Sequence, residues 1–84
     1  MYFDQHGNPI SEEEWTELHE NAVYRQVGYA VVGDYLVSTV WLGRDPLFET
    51  KVFKGVHELD QVSYATLGEA LIGHAKTVEK VRSE

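Results

Sequence analysis

The chain has 84 residues, with 14 acidic against 7 basic side chains, a formal net charge of −7, and no cysteine. That length suits one domain with a modest core. The charge argues against gripping nucleic acid by its phosphates, which needs a concentrated positive face. The missing thiols exclude cysteine catalysis and cysteine-held zinc, and they lean toward a reducing cytosol.

Apolar residues at 43% and charged residues at 25% give the balance of a folded globule rather than a disordered tail. No apolar run approaches membrane-spanning length, and the N-terminus lacks a basic region leading into an apolar one. The expectation is a cytoplasmic protein that neither binds nucleic acid directly nor enters a membrane. Its acidic balance favours solubility and basic partners.

Tyr2-Phe3 reads as a short strand, Asp4 to Asn8 as a turn, and Pro9-Ile10 as the returning strand. Ser11 followed by Glu14 makes a capping box, and Glu12, Glu13 and Glu14 suit the positive end of a helix dipole. Trp15, Leu18 and Ala22 follow at helical spacing, which predicts a helix from about Glu12 to about Asn21.

Val27 to Val32 is β-prone, and Gly33-Asp34 fits a two-residue hairpin turn with glycine first. Tyr35 to Leu42 is the central strand. A loop at Gly43 to Pro46 then turns the chain into Leu47 to Lys54. This register sets Trp41 opposite Phe48, Thr39 opposite Thr50 and Val37 opposite Val52. The sheet gains two faces. One carries Ala30, Val32, Val37, Thr39, Trp41, Phe48, Thr50 and Val52, and is taken as the core because it holds no charge. The other carries Tyr29, Val31, Leu36, Ser38, Val40, Glu49, Lys51 and Phe53.

Gly55 to Gln61 reads as a polar connection and Val62 to Ala65 as a short last strand at an edge. Thr66 caps a second helix, with Glu69 closing another capping box. Its apolar stripe is Leu67, Leu71, His74, Val78 and Val81, widened by Ala70 and Ala75. Residues 1–84 thus read as a single α+β domain: a short N-terminal β-hairpin, and an antiparallel meander of three to four strands with two helices.

Several segments together resemble a family of small proteins encoded by bacteriophages and prophages, most familiar from phages of actinobacteria. They are Met1-Tyr-Phe-Asp, Gly7-Asn-Pro-Ile-Ser, Glu14-Trp15, Val37-Ser-Thr-Val-Trp-Leu-Gly43 and Phe48-Glu-Thr-Lys-Val-Phe53. The closing helix adds Tyr64-Ala-Thr, Glu69-Ala70 and Gly73-His74-Ala75. Members commonly carry a longer loop between the two central segments, with an Asp-His pair and a run of Gly and Pro. Here that loop is only Gly43-Arg44-Asp45-Pro46. The resemblance implies a setting, phage and host cytoplasm, and brings no activity to carry over to this chain, since the family's members are mostly known as uncharacterised proteins.

Each candidate chemical group has a plainer reading beside it. His74 on the apolar stripe has no second ligand at helical spacing, so a half-buried packing histidine is the favoured reading over a base or metal ligand. His19-Glu20 starts a zinc-protease motif but meets Val23 where the second histidine belongs. His57, Glu58 and Asp60 read as solvated loop, and His6 sits in a glycine turn. No phosphate loop and no nucleophile elbow is present.

The expected function is therefore non-enzymatic binding of a host or phage protein, without cofactor or metal. The contact surface would be Tyr29, Val31, Leu36, Val40 and Phe53, together with the Arg44-Asp45 turn. Against this stands the reading that the helices or the N-terminal hairpin bury both sheet faces, which the sequence places slightly ahead. A homodimer through this face or an open strand edge would satisfy the same chemistry. The alternatives are an acidic nucleic-acid mimic using Glu12, Glu13, Glu14, Glu17 and Glu20, and a small metal-assisted hydrolase using His57 or His74.

Overall fold

The computed structural model describes all residues, Met1–Glu84. Strands β1 (Tyr2–Phe3) and β2 (Pro9–Ile10) form the N-terminal hairpin. Helices α1 (Glu12–Glu20) and α2 (Ala22–Arg25) follow. Strands β3 (Gln26–Val32), β4 (Tyr35–Trp41), β5 (Phe48–Lys54) and β6 (His57–Tyr64) make an antiparallel meander in the order β3-β4-β5-β6. Helix α3 (Leu67–Arg82) closes the chain. The α+β architecture is the one the sequence predicts.

Local chemistry explains the element ends. Ser11 Oγ caps α1 by accepting from the Glu14 amide at 3.1 Å, and its hydroxyl, rather than its backbone N–H, meets the Glu14 carboxylate at 3.3 Å. Thr66 does the same for α3, with distances of 3.1 Å to the Glu69 amide and 3.0 Å to its carboxylate. Asn21 has a double role. It ends α1 through its backbone N–H to Leu18, and it caps α2 by accepting from the Val23 and Tyr24 amides. The sequence reading has no α2; a turn this short carries no period of its own.

The predicted registers hold: Val32 faces Tyr35, Thr39 faces Thr50, Val37 faces Val52 and Trp41 faces Phe48. One prediction is corrected. The polar connection Gly55 to Gln61 is mostly strand, since β6 begins at His57 and pairs with Lys54 across the turn Gly55-Val56. The residues are poor strand formers by composition. Pairing with β5 supplies their backbone hydrogen bonds regardless. The missed signal was Gly55, at φ +63°, opening a second two-residue turn like the one at Gly33, φ +58°.

Two apolar clusters form the core on one face of the sheet. Trp41, Leu47, Phe48 and Ala70 lie at one end, enclosed by Phe3, Ile10, Trp15, Leu18, Tyr24, Val27, Tyr64 and Leu67. Val37, Val52 and Val81 lie at the other, with Ala30, Val32, Tyr35 and Val78 around them. Trp41 is wholly buried and its indole N–H donates to the Phe3 carbonyl at 3.0 Å. Trp15 likewise donates to the Leu42 carbonyl at 2.9 Å, tying α1 to the end of β4.

Helix α3 lies across all four strands of this face, but rolled from the predicted stripe. Leu71 is 49% exposed and Ala75 is exposed, whereas Ala70 and Val81 are buried. Small residues set the roll: Gly73 lies so close to the Tyr64 ring that a Cβ there would collide with it. A helix can approach a sheet most closely along its smallest side chains, and that outweighs centring the longest apolar ones.

Candidate functional site

With one residue inserted at each of two bulges, at Gln26–Gly28 on β3 and Glu58–Asp60 on β6, alternation sends every second side chain to the face opposite α3. There Val31, Leu36 and Phe53 stand in register across β3, β4 and β5, ending at Glu58 on β6. The next row is Tyr29, Ser38, Lys51 and Gln61, and beyond it Val40, Glu49 and Ser63. Tyr29 is 61% and Val31 67% exposed, while Leu36, Val40 and Phe53 are partly exposed.

None of these five apolar residues joins either core cluster, because the helices and the N-terminal hairpin all pack on the other side. The expectation that both faces are covered is thus overturned. A single layer of helices has one sheet face to bury and leaves the second bare.

The polar half of this face is tied together. Lys51 Nζ reaches Glu58 at 3.1 Å and Glu49 at 3.6 Å, and Gln61 donates to Glu49 at 2.7 Å. The hydrogen bond to Glu58, and then the negative charge of Glu58 and Glu49, hold the Lys51 ammonium above the usual lysine range. The Gln26 side-chain amide donates to Ser38 Oγ at 3.2 Å, a cross-strand contact between β3 and β4. The face therefore has an apolar half on β3, β4 and Phe53, and a charge-linked half on β5 and β6.

Arg44 and Asp45 do not belong to it. They lie in the loop joining β4 to β5, where the Arg44 guanidinium sits 5.1 Å from the Trp15 ring and 5.7 Å from the Tyr2 ring. Tyr2, Trp15 and His19 stack with successive centroid distances of 4.7 Å, so His19 packs on Trp15 one helical turn away. The contact surface proposed from the sequence is thus two surfaces. The sheet residues share one face, and the Arg44-Asp45 turn sits beside the hairpin and α1.

His74 lies on the core side. Its ring rests on Gly28, and Nδ1 is 2.7 Å from Thr39 Oγ1, which in turn hydrogen-bonds Thr50 Oγ1. Both threonines are buried. Only the direction Thr50 to Thr39 to His74 Nδ1 gives each hydroxyl hydrogen an acceptor, which selects the tautomer protonated on Nε2. Protonating His74 would reverse the chain and leave the Thr50 hydrogen without one. Burial alone already pushes the His74 pKa below its usual value. This is the half-buried packing histidine of the sequence reading.

The other histidines are scattered: His6 in the β1–β2 turn and His57 exposed at the start of β6. No group of three or more His, Asp or Glu side chains converges. A groove of about 380 Å³ between the hairpin and the β4–β5 loop is lined by Phe3, Gly7, Asp45, Leu47 and Ala65, with Asp45 its one ionisable side chain. No helix is long and apolar enough to cross a membrane. No family model, curated protein or solved structure matches the chain.

Proposed function

We propose that this chain is a binding module that works without chemistry of its own, presenting the bare face of its sheet to a host or phage protein. The observation that carries the reading is that face: Tyr29, Val31, Leu36, Val40 and Phe53 are apolar, share one side of the sheet and lie outside both core clusters. Patches of this kind mark interaction sites. Two carboxylates against one ammonium edge it, and the whole chain carries −7. The partner that fits has an apolar centre and a basic rim. The setting implied by the family resemblance is the cytoplasm of an infected bacterium.

The test is capture of partners from host lysate by the wild type and by Leu36→Asp and Phe53→Asp variants shown to be folded by circular dichroism. Loss of the same captured protein with both variants supports the reading. Undiminished capture removes this face from consideration.

A second reading rests on α1, where Glu12, Glu13, Glu14, Glu17 and Glu20 are all exposed and none pairs with a Lys or Arg. Such an array can occupy a basic groove in place of phosphates. It predicts steep salt dependence and loss of binding in the Glu12→Lys, Glu13→Lys double variant, with the sheet-face variants unaffected.

A further inference from the structure

We propose that β3 pairs with β3 of a second copy, antiparallel about a two-fold axis at Ala30, joining the two sheets into one. The proposal goes beyond partner binding by the bare face, because it is the outward backbone N–H and C=O groups of β3 that carry the pairing.

The direction of the β3 backbone follows from the opposite end of the sheet. The Leu42 N–H donates to the Leu47 carbonyl at 2.8 Å, so Leu42 and Leu47 are a hydrogen-bonded pair. Bonded and non-bonded pairs alternate along an antiparallel ladder. Thr39 and Thr50 are then a non-bonded pair, and the backbone of Thr39 turns toward β3. It follows that Gly28, Ala30 and Val32 bond to β4, and that Tyr29 and Val31 direct their N–H and C=O outward. The two-residue turn at Gly33-Asp34 demands the same parity. β3 is an outer strand, and no helix or loop bonds to those outward groups.

Beyond the bulge at its start, between Gln26 and Gly28, the edge from Gly28 to Val32 lacks the charges and prolines that outer strands normally carry. Gln26 to Val32 contains no charge and no proline. The other outer strand, β6, is guarded by His57, Glu58 and Asp60, and self-pairing there would set carboxylate against carboxylate. On β3 the ends are complementary instead. Arg25, the last residue of α2, precedes the strand with one guanidinium N–H on the His19 carbonyl, and Asp34 follows it, so antiparallel pairing of two copies sets the Asp34 end of each beside the Arg25 end of the other.

With the axis at Ala30, Tyr29 lies opposite Val31 of the second copy, and Val31 opposite its Tyr29. Both pairs exchange backbone hydrogen bonds and set an aromatic ring beside a branched side chain on the bare face. The two bare faces become one continuous platform with two-fold symmetry.

A contact of this length buries less than about 1,200 Å², the size of weak and transient interfaces. Half-association is expected at roughly 100 µM. The test is sedimentation equilibrium of the purified protein from about 10 µM to about 1 mM, with amide hydrogen exchange read at both ends of that range. The expected result is a concentration-dependent rise in mass toward the dimer, with exchange at the Tyr29 and Val31 amides slowed about fourfold between the two ends of the range. Val31→Pro, which removes an outward N–H without touching the β4 ladder, abolishes the dimer. Asp34→Arg weakens it several-fold. A monomer at about 1 mM, or a dimer whose Tyr29 and Val31 amides stay unprotected, overturns the proposal. Neither result bears on lysate capture by the bare face.

Discussion

Gly28→Ala is the sharpest test of how the interior is held. Gly28 does not have a positive φ, so the backbone accepts alanine. In an open strand the change would stabilise by about 0.4–1 kcal/mol, by restricting the unfolded chain. Here the new Cβ would lie 2.8 Å from three atoms of the His74 ring. The ring cannot step aside cheaply, because its Nδ1 is held 2.7 Å from Thr39, and Thr39 is the partner of the buried Thr50. Overpacking costs about 1–3 kcal/mol, so the collision outweighs the entropic gain and the variant is expected to be about 1–2 kcal/mol less stable. For a domain of this size that lowers Tm by roughly 5–10 °C. Urea unfolding followed by the fluorescence of Trp15 and Trp41 measures it. In a His74→Ala background the penalty should vanish, since the collision partner is gone. A neutral or stabilising Gly28→Ala in the wild-type background would refute the packing argument.

Gly73→Ala should also destabilise, by about 2 kcal/mol, although alanine favours helix, because its Cβ meets the Tyr64 ring. Gly68→Ala, on the same helix with open space around it, should stabilise by about 0.5–1 kcal/mol, and parallel thermal melts compare the two. Thr39→Val should cost about 1–3 kcal/mol, because it strips partners from both Thr50 and His74. Thr50→Val removes only the end of the chain and should cost less, by the same urea assay. His74 has a folded-state pKa below its unfolded one, so the unfolded chain binds the proton more readily. The contribution of neutral His74 is complete above about pH 6.5 and is lost as pH falls through the lowered folded value. Subtracting the stability–pH curve of His74→Gln from that of the wild type isolates this slope, which should be positive below pH ~6.5. A flat difference curve would contradict it.

What could be read directly from the chain was local. Ser11 with Glu14 and Thr66 with Glu69 place two helix starts, because an N-cap and the amide it accepts from lie within four residues. Gly33-Asp34 and Gly43 to Pro46 fix the registers of β3, β4 and β5, because side chains alternate with period two from each turn outward. The one strand misread, β6, is where composition opposed pairing, and its hydrogen bonds come from β5 rather than from its own residue types.

The candidate face was legible only as a set of positions. Alternation put Tyr29, Val31, Leu36, Val40 and Phe53 together, but both faces of the sheet are apolar enough to attract a helix. The choice falls to packing: α3 approaches closest where Gly28, Ala70 and Gly73 let ring and backbone draw near, and that closeness exists on one side only. The same roll leaves Leu71 exposed and turns His74 inward to Thr39. Arg44 likewise left the predicted surface, because its guanidinium found the Tyr2 and Trp15 rings. Sequence determined which residues share a face. Tertiary structure decided which face is covered, since a pattern of apolar residues specifies that they seek contact and not what they touch.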